Sequence, residues 1–457
     1  MADISIGQYI FTRLSQLGVK SVFGVPGDYE LIILDMTPAA GLTWRGNANE
    51  LIASYAADGY ARVNGIGAFV TTFGPGELSA YCGMAGQYAE YVPVVHIVGY
   101  PSTSAMKSGA VMHHSLGDGE FGMYQKMIKH ITVADIILDD VGSAASEIDR
   151  QCFTTPDRYP VIVVDGGAIR FDLLQETREI ITSLQVPYFS TAMSKGSISE
   201  CLGDGKLFGG VYSGGASPDS IRAAVEKSEL ALFIGRYPDL NIVDFQRFSV
   251  NIAGKSYNLA NKYTLGRYFR ANDFIIAETG TSSYGIPAAN LMHFENVRMY
   301  NQTVFGSIGY ATGAALGSFV AGKEDGSVKR GILVTGEGSL QLTVQALADY
   351  LRWGLNATIF IVNNGGYTVE RLIHGMDALY NTIPVWKYEK LSEVFGPDHP
   401  SRYDRIETGA ELVELLNYGR FSAADCTQVV ELILGKDDAP LAVKMASAAV
   451  EAFNLRQ

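Results

Sequence analysis

Two short apolar runs constrain most what this chain can fold into. Gly331-Ile332-Leu333-Val334-Thr335 stops at Gly336, and Ala357-Thr358-Ile359-Phe360-Ile361-Val362 stops at Asn363-Asn364. Each has the length and β-branched content of a buried strand. Between them Val344, Leu347, Ala348 and Leu351 recur at helical spacing, so Gln341 to Trp353 is expected as an amphipathic helix. In an open α/β sheet, ligands sit outside the carboxyl ends of the strands. Glu337 and Asn364 are therefore expected there side by side, next to a helix N-terminus that faces any bound anion. Two hard oxygen ligands in that setting suit a magnesium ion that also holds phosphate oxygens.

The same alternation recurs towards both ends of the chain. Ile6, Ile10, Leu14 and Leu17 predict a helix closed by Gly18, and Ser21 to Val25 a strand that runs into Pro26-Gly27-Asp28-Tyr29. Taken alone, Asp28 at a strand end reads as a helix N-cap. Glu50 opens a helix of small residues, Ala53, Ala56, Ala57 and Gly59, whose close packing is expected to half-bury its carboxyl and raise its pKa. Ala68 to Phe73 leads into Gly74-Pro75-Gly76-Glu77, a loop stiffened by the proline, and Val94 to Gly99 is a further strand. Asp273 to Ala277 ends on Glu278-Thr279-Gly280-Thr281, and Phe305-Gly306-Ser307-Ile308-Gly309-Tyr310 opens a helix rich in Gly and Ala. His113-His114 are adjacent, and a strand would point them to opposite faces. Imidazoles titrate near neutral pH and pass protons readily. Glu370 falls on the first turn of a helix after Asn364. Strands alternating with helices in this way predict parallel sheets covered on both faces.

A length of 457 residues suits about three domains of ordinary size. With 47% hydrophobic and 18% charged residues the chain is globular. A net charge of −13 argues against nucleic acid as a partner. The four cysteines, Cys82, Cys152, Cys201 and Cys426, are far apart and lack metal-ligand spacing, as expected of reduced cytosolic thiols. No basic region followed by an apolar core opens the chain, and no run reaches membrane-spanning length. A cytoplasmic location with no membrane partner is the expectation.

On these strings the chain resembles the thiamine diphosphate enzymes, whose signature runs from Gly-Asp-Gly to Asn-Asn at a spacing of this size. Gly338-Ser339-Leu340-Gln341-Leu342-Thr343 and Tyr367-Thr368-Val369-Glu370-Arg371-Leu372-Ile373-His374-Gly375 are similar to the pyruvate decarboxylase branch of the 2-oxo acid decarboxylases. Val22-Phe23-Gly24-Val25-Pro26-Gly27-Asp28 and the string around His113-His114 resemble that branch too. The resemblance implies thiamine diphosphate and Mg2+ as cofactors, the metal held by Glu337, Asn364 and the carbonyl of Gly366. It implies that Glu50 hydrogen-bonds the aminopyrimidine ring, that the Gly306 carbonyl holds its amino group, and that Ile308 wedges the cofactor into a bent shape. Thr281, Gly338 and Ser339 would hold the diphosphate, while Thr279, Leu240, Val369 and Ile373 would line the substrate. Asp28, His113, His114 and Glu370 would supply and accept protons. The implied reaction is non-oxidative decarboxylation of a 2-oxo acid, pyruvate first, through an ylide and an enamine of the cofactor. The implied assembly is a homodimer or homotetramer, with the two ends of the cofactor held by different chains.

The resemblance also frames the departures. The family's Asp is Glu337 here, and Pro75 stands where a small aliphatic residue is usual. The expected architecture is two similar doubly wound parallel-sheet domains, 1–159 and 268–457, flanking a smaller, truncated α/β middle domain at 160–267. The middle region is short near Pro160 and between Asn241 and Asp273, and Gly166-Gly167-Ala168 replaces the family's middle-domain cysteine. Leu240, where the family often has a larger aromatic, opens an alternative reading as a decarboxylase of aromatic or branched 2-oxo acids. Glu337 and the missing segments open another, a catalytically impaired homologue acting as a binding or regulatory subunit. Carboligation of the acetolactate synthase type is disfavoured by His113-His114 and the Glu370 string.

Overall fold

The computed structural model describes residues 4–152, 161–165, 168–169, 172–191, 194–202, 205–212, 217–226, 228, 231–234, 265, 268–286 and 297–454. The chain divides into two compact units, Met1–Glu147 with Gly254–Gln457, and Ile148–Ala253. The first unit opens with a sheet of β1 (Ser21–Gly24), β2 (Thr43–Gly46), β3 (Gly67–Thr72) and β4 (Val94–Gly99), ordered β2-β1-β3-β4 with every pair parallel. Every residue of β1 and β3 is buried, which is why these two runs are almost wholly apolar. The helix Ile6–Gln16 is started by the Ser5 hydroxyl, which accepts from the Gln8 N–H, and it buries Phe11 and Leu14.

The second unit has its own sheet of β5 (Val161–Val164), β6 (Tyr188–Thr191), β7 (Phe208–Tyr212) and β8 (Ala231–Ile234), ordered β7-β6-β5-β8 and all parallel. The run at Val161 is thus central to this sheet. β7 carries no strand signal, because Gly209-Gly210 interrupt it. The structure explains those glycines: a Cβ on Gly209 would strike the Phe189 ring, and one on Gly210 would strike Ile221.

The first unit closes with a six-stranded parallel sheet of β9 (Asp273–Ala277), β10 (Arg298–Tyr300), β11 (Arg330–Gly336), β12 (Ala357–Asn363), β13 (Ser401–Ile406) and β14 (Thr427–Ile433). Its order is β10-β9-β11-β12-β14-β13. The single helix expected over Gln341–Trp353 is two, Glu337–Thr343 and Ala346–Arg352. Val344, Leu347 and Leu351 are buried as their spacing predicts, but helix begins at Glu337 directly after β11. The Thr343 hydroxyl donates to the Gly309 carbonyl at 2.7 Å, tying the end of the first segment to the 305–310 stretch before the chain turns at Val344.

The helices Glu50–Asn64 and Tyr310–Asp325 join the two sheets' layers within this unit. Both are buried along most of their length. Gly59 and Gly317 let their backbones touch, since a Cβ on either would collide with the carbonyl of Ala314 or Ala56. The Ser318 hydroxyl donates to the Gly59 carbonyl at 2.8 Å. Asp58, buried in the same seam, accepts from Arg62 Nε at 2.6 Å and from the Tyr310 hydroxyl. The small-residue helix exists for this contact.

Candidate active site

In both sheets of the first unit the strand order reverses, between β1 and β3 and between β9 and β11, and ligands of open α/β sheets lie beyond the carboxyl ends at such points. The chain following β1 is Pro26-Gly27-Asp28-Tyr29. Asp28 is not a helix cap, because the next helix starts at Leu31 after Glu30. Its carboxylate instead meets His113, with Oδ2 and Nε2 2.8 Å apart. The Tyr29 hydroxyl lies 3.2 Å from His113 Nδ1, and the two rings stack at 4.9 Å. Asp28, His113 and His114 each bring a polar atom to within 4.8 Å of the others.

The histidines do not alternate as strand residues would. His114 adopts φ +69°, and this left-handed backbone brings its ring to 4.6 Å from that of His113. The loop is pinned by the Tyr124 hydroxyl, which donates to the His114 carbonyl at 3.0 Å, and by Gly74, where a Cβ would strike that same carbonyl. Gly74 (φ +72°) leads into the helix Pro75–Ala89, where Pro75 occupies the first turn and the Glu77 carboxylate accepts from the Gly74 N–H at 2.9 Å. Glu50 is half-buried, and a Cβ on Gly76 would lie 3.4 Å from its Oε1. Asp28, His113, His114 and Glu50 therefore ring the ends of β1 and β3. Asn47 ties this edge to the other sheet: its Oδ1 accepts from the Gly24 N–H at 3.1 Å, and its Nδ2 donates to buried Asp349 at 3.0 Å.

At the other switch point Thr279 follows β9 and Glu337 follows β11 directly. Cβ atoms on Gly280 (φ +104°) and Gly306 (φ +65°) would lie 3.9 Å from Val369 and 3.8 Å from Thr279, so these residues line one cradle. The Thr279 hydroxyl oxygen is buried without a partner. Ile308, two residues after Gly306, stands 40% exposed, while Gly309 packs on Ser339 and Leu342. Tyr55 and Cys82, from the Glu50 side, approach Ser307, with Cys82 Sγ 3.7 Å from its hydroxyl.

Glu337 is buried, and burial pushes its carboxyl up against the opposing pull of the Gly366 N–H and the Arg371 guanidinium. Its longer side chain reaches across to the Asn364 loop, where Oε1 accepts from the Gly366 N–H at 2.7 Å. Arg371 clamps the loop from behind, donating to the Asn364 carbonyl at 3.1 Å and to the Gly365 carbonyl. The Tyr367 N–H donates to Asn381 O at 3.0 Å. Glu370 lies exposed on the first turn of the helix Thr368–Ile373, with Ile373 half-buried at its end. The C-terminal helix Leu441–Asn454 packs against that helix.

These residues fit the cofactors the sequence suggests. The Glu337 carboxylate, the Asn364 carboxamide and the Gly366 carbonyl form an all-oxygen set, as a divalent hard cation requires. The orphaned Thr279 hydroxyl and the side-chain-free faces of Gly280 and Gly306 leave room and a polar contact for an organic ligand. Leu240 lies outside the described residues, as do Gly166 and Gly167. Sequence reasoning missed Arg371, Glu278 and Glu30. Glu278 is fully buried, its carboxyl pushed up to about 8 by burial, and it accepts from the N–H groups of Thr279 (3.0 Å) and Ala311 (3.3 Å). No local pattern marks these three, since each bonds to backbone N–H or carbonyl groups, which carry no side-chain signal in the sequence.

Comparison with known proteins gives three domain matches: the thiamine pyrophosphate enzyme N-terminal TPP binding domain over residues 4–123, the central domain over 157–263, and the C-terminal TPP binding domain over 280–424. Among curated relatives, pyruvate decarboxylase of Aspergillus fumigatus is 34% identical over 99% of this chain and 98% of its own length. That of Kluyveromyces lactis is 35% identical over 96% and 97%. Pyruvate decarboxylase isozyme 1 of Saccharomyces cerevisiae is 34% identical over 100% of both. The last alignment runs over 569 positions against 457 residues here, so stretches of that relative have no counterpart in this chain.

Proposed function

We propose, for a chain that belongs to the thiamine pyrophosphate enzymes and to their pyruvate decarboxylase branch, that it decarboxylates pyruvate non-oxidatively, releasing acetaldehyde and carbon dioxide. Thiamine diphosphate with Mg2+ is the cofactor of this family; when bound it supplies the carbanion nucleophile and the electron sink. The protein's task is then to hold, orient and move protons.

Glu337, Asn364 and the Gly366 carbonyl would hold the metal, and Thr281, Gly338 and Ser339 the diphosphate. Glu50 and the Gly306 carbonyl would hold the aminopyrimidine, with Ile308 beneath the bend. Thr279 would orient the substrate carboxylate, and Val369, Ile373 and Leu240 would border its side chain. His113, held between Asp28 and Tyr29, would take and return a proton, with His114 beside it and Glu370 as a further proton-carrying group. The observation that carries the reading is this Asp28–His113–His114 cluster at the switch point of the first sheet. We place the enzyme in the cytoplasm as a homodimer or homotetramer. The unpaired thiols Cys82, Cys201 and Cys426 suit a reducing compartment, and among the described residues no helix is long and apolar enough to cross a membrane.

A coupled assay of aldehyde release from a panel of 2-oxo acids tests this. Pyruvate should be turned over, and His113→Ala and Glu370→Gln should each lower kcat by about 10²–10⁴-fold. Preference for an aromatic or branched acid would move the substrate assignment. Full cofactor binding without aldehyde release would favour the second reading, an impaired homologue, which the reach of Glu337 to the Gly366 N–H supports.

A further inference from the structure

Behind Asp28 lies a carboxylic acid that the mechanism does not use. Glu30 is 1% exposed, yet it sits two residues from a catalytic candidate that is half in solvent. Its Oε1 accepts from the Gly27 N–H at 2.5 Å, while its own N–H donates to the Gly27 carbonyl at 3.2 Å. Asp28 and Tyr29 are the two residues enclosed between these bonds, and they are the two that hold His113 by its opposite ring nitrogens. The turn is wedged between strand ends. A Cβ on Gly27 would lie 2.6 Å from Thr72 Cβ, and one on Gly99 would lie 2.7 Å from Glu30 Cβ and 2.8 Å from its Oε2. That Oε2 is buried without a hydrogen-bond partner.

We propose that Glu30 is a positioning residue for the proton-transfer site, its side chain closing the Gly27–Glu30 turn that presents Asp28 and Tyr29 to His113. What the turn serves rests on the decarboxylase reading, but its geometry does not. Burial pushes the Glu30 carboxyl up to about 7, opposed by the Gly27 N–H and the nearby Thr72 hydroxyl and aided by the charge of Asp28. Asp28 and Tyr29 on its own turn are the titratable groups facing it. The end of β3 presents Thr72 and the end of β4 presents Gly99, neither of which titrates. Below its pKa Glu30 is a neutral acid and its unpartnered oxygen carries no buried charge. Above it, a buried carboxylate with one oxygen unpartnered stands beside Asp28, and the cost of that charge loosens the turn.

The test uses the full chain, with Glu30→Gln and Glu30→Ala. In the loaded enzyme Glu30→Ala should lower kcat on the order of tenfold to a hundredfold with little change in KM, as misplaced proton-transfer groups do. Glu30→Gln should keep kcat near native and hold it to higher pH, having no proton to lose. In the unloaded chain the imidazole NMR signals of His113 should move in Glu30→Ala and stay in place in Glu30→Gln. If no variant releases aldehyde but the His113 signals respond in this way, the functional reading fails and the turn assignment stands. Native kcat, pH profile and His113 signals in Glu30→Ala overturn the proposal, as does a Glu30→Gln variant as impaired as the alanine one. Should Glu30→Ala fail to fold, an unchanged alkaline limb in Glu30→Gln is the overturning result.

Discussion

The His113 and His114 rings lie together because His114 is left-handed. Consecutive side chains diverge in a strand, and the positive φ of His114 cancels that divergence. Arg371 fixes the loop proposed to hold the metal in a comparable way, donating to the Asn364 and Gly365 carbonyls. Arg371→Ala should therefore weaken Mg2+-dependent cofactor binding on the order of tenfold to a hundredfold while leaving the oxygen ligands in place, as loss of such supporting contacts does at metal sites. Metal titration of the apo protein checks it. Glu278 makes a pH prediction. Its folded pKa, pushed up to about 8, lies above the ordinary carboxyl value of 4.5, so the folded chain binds the proton more tightly than the unfolded one. The stability it contributes is full below pH 4.5 and is lost as pH rises through 8. Thermal midpoints of the cofactor-free protein between pH 5 and 9 should fall more shallowly in Glu278→Gln than in the native chain, with Asp349 (about 6) and Glu30 (about 7) keeping part of the slope.

At the scale of elements, the seam between Glu50–Asn64 and Tyr310–Asp325 is the contact most sensitive to volume. Gly317→Ala places a methyl against the Ala56 carbonyl, backbone that cannot swing aside, and overpacking of this kind costs about 1–3 kcal/mol. A lowered urea midpoint with unchanged far-UV circular dichroism is the expected reading, and Gly326→Ala, where no atom lies within 4 Å, is a control for strain at positive φ without a clash. The seam was legible in part: the run of Ala and Gly after Glu50 announces close packing, but not its partner. The strands bearing Asp28, Thr279, Glu337 and Asn364 were legible because apolar runs ending at Gly or Asn have few other uses in a parallel sheet. The break at Val344 was not, since periodicity reports which face is buried and both helices bury the same face. β7 was hidden because its glycines answer to the Phe189 ring and Ile221, which only the folded sheet brings near. The approach of His113 to His114 goes with the positive φ of His114, which the sequence around it does not announce.

For the whole molecule, shortness relative to its family is the defining trait. The 457 residues retain both cofactor-type sheets with their switch points, and the second unit keeps a four-stranded parallel sheet of its own. The departures thus leave these elements in place, and Glu337, the altered residue at the proposed metal position, is buried against the Asn364 loop. Light scattering of the loaded protein should give a dimer or tetramer mass; a monomer with full activity would refute the proposed assembly. The proposed function requires that the site accept its cofactor with Glu337 in the metal position. Titration calorimetry of the purified chain with thiamine diphosphate, with and without Mg2+, measures that directly, beside Glu337→Asp. Magnesium-dependent binding by the native chain, tightened in Glu337→Asp, is the predicted result. Absence of binding in both, with the fold intact, would contradict it.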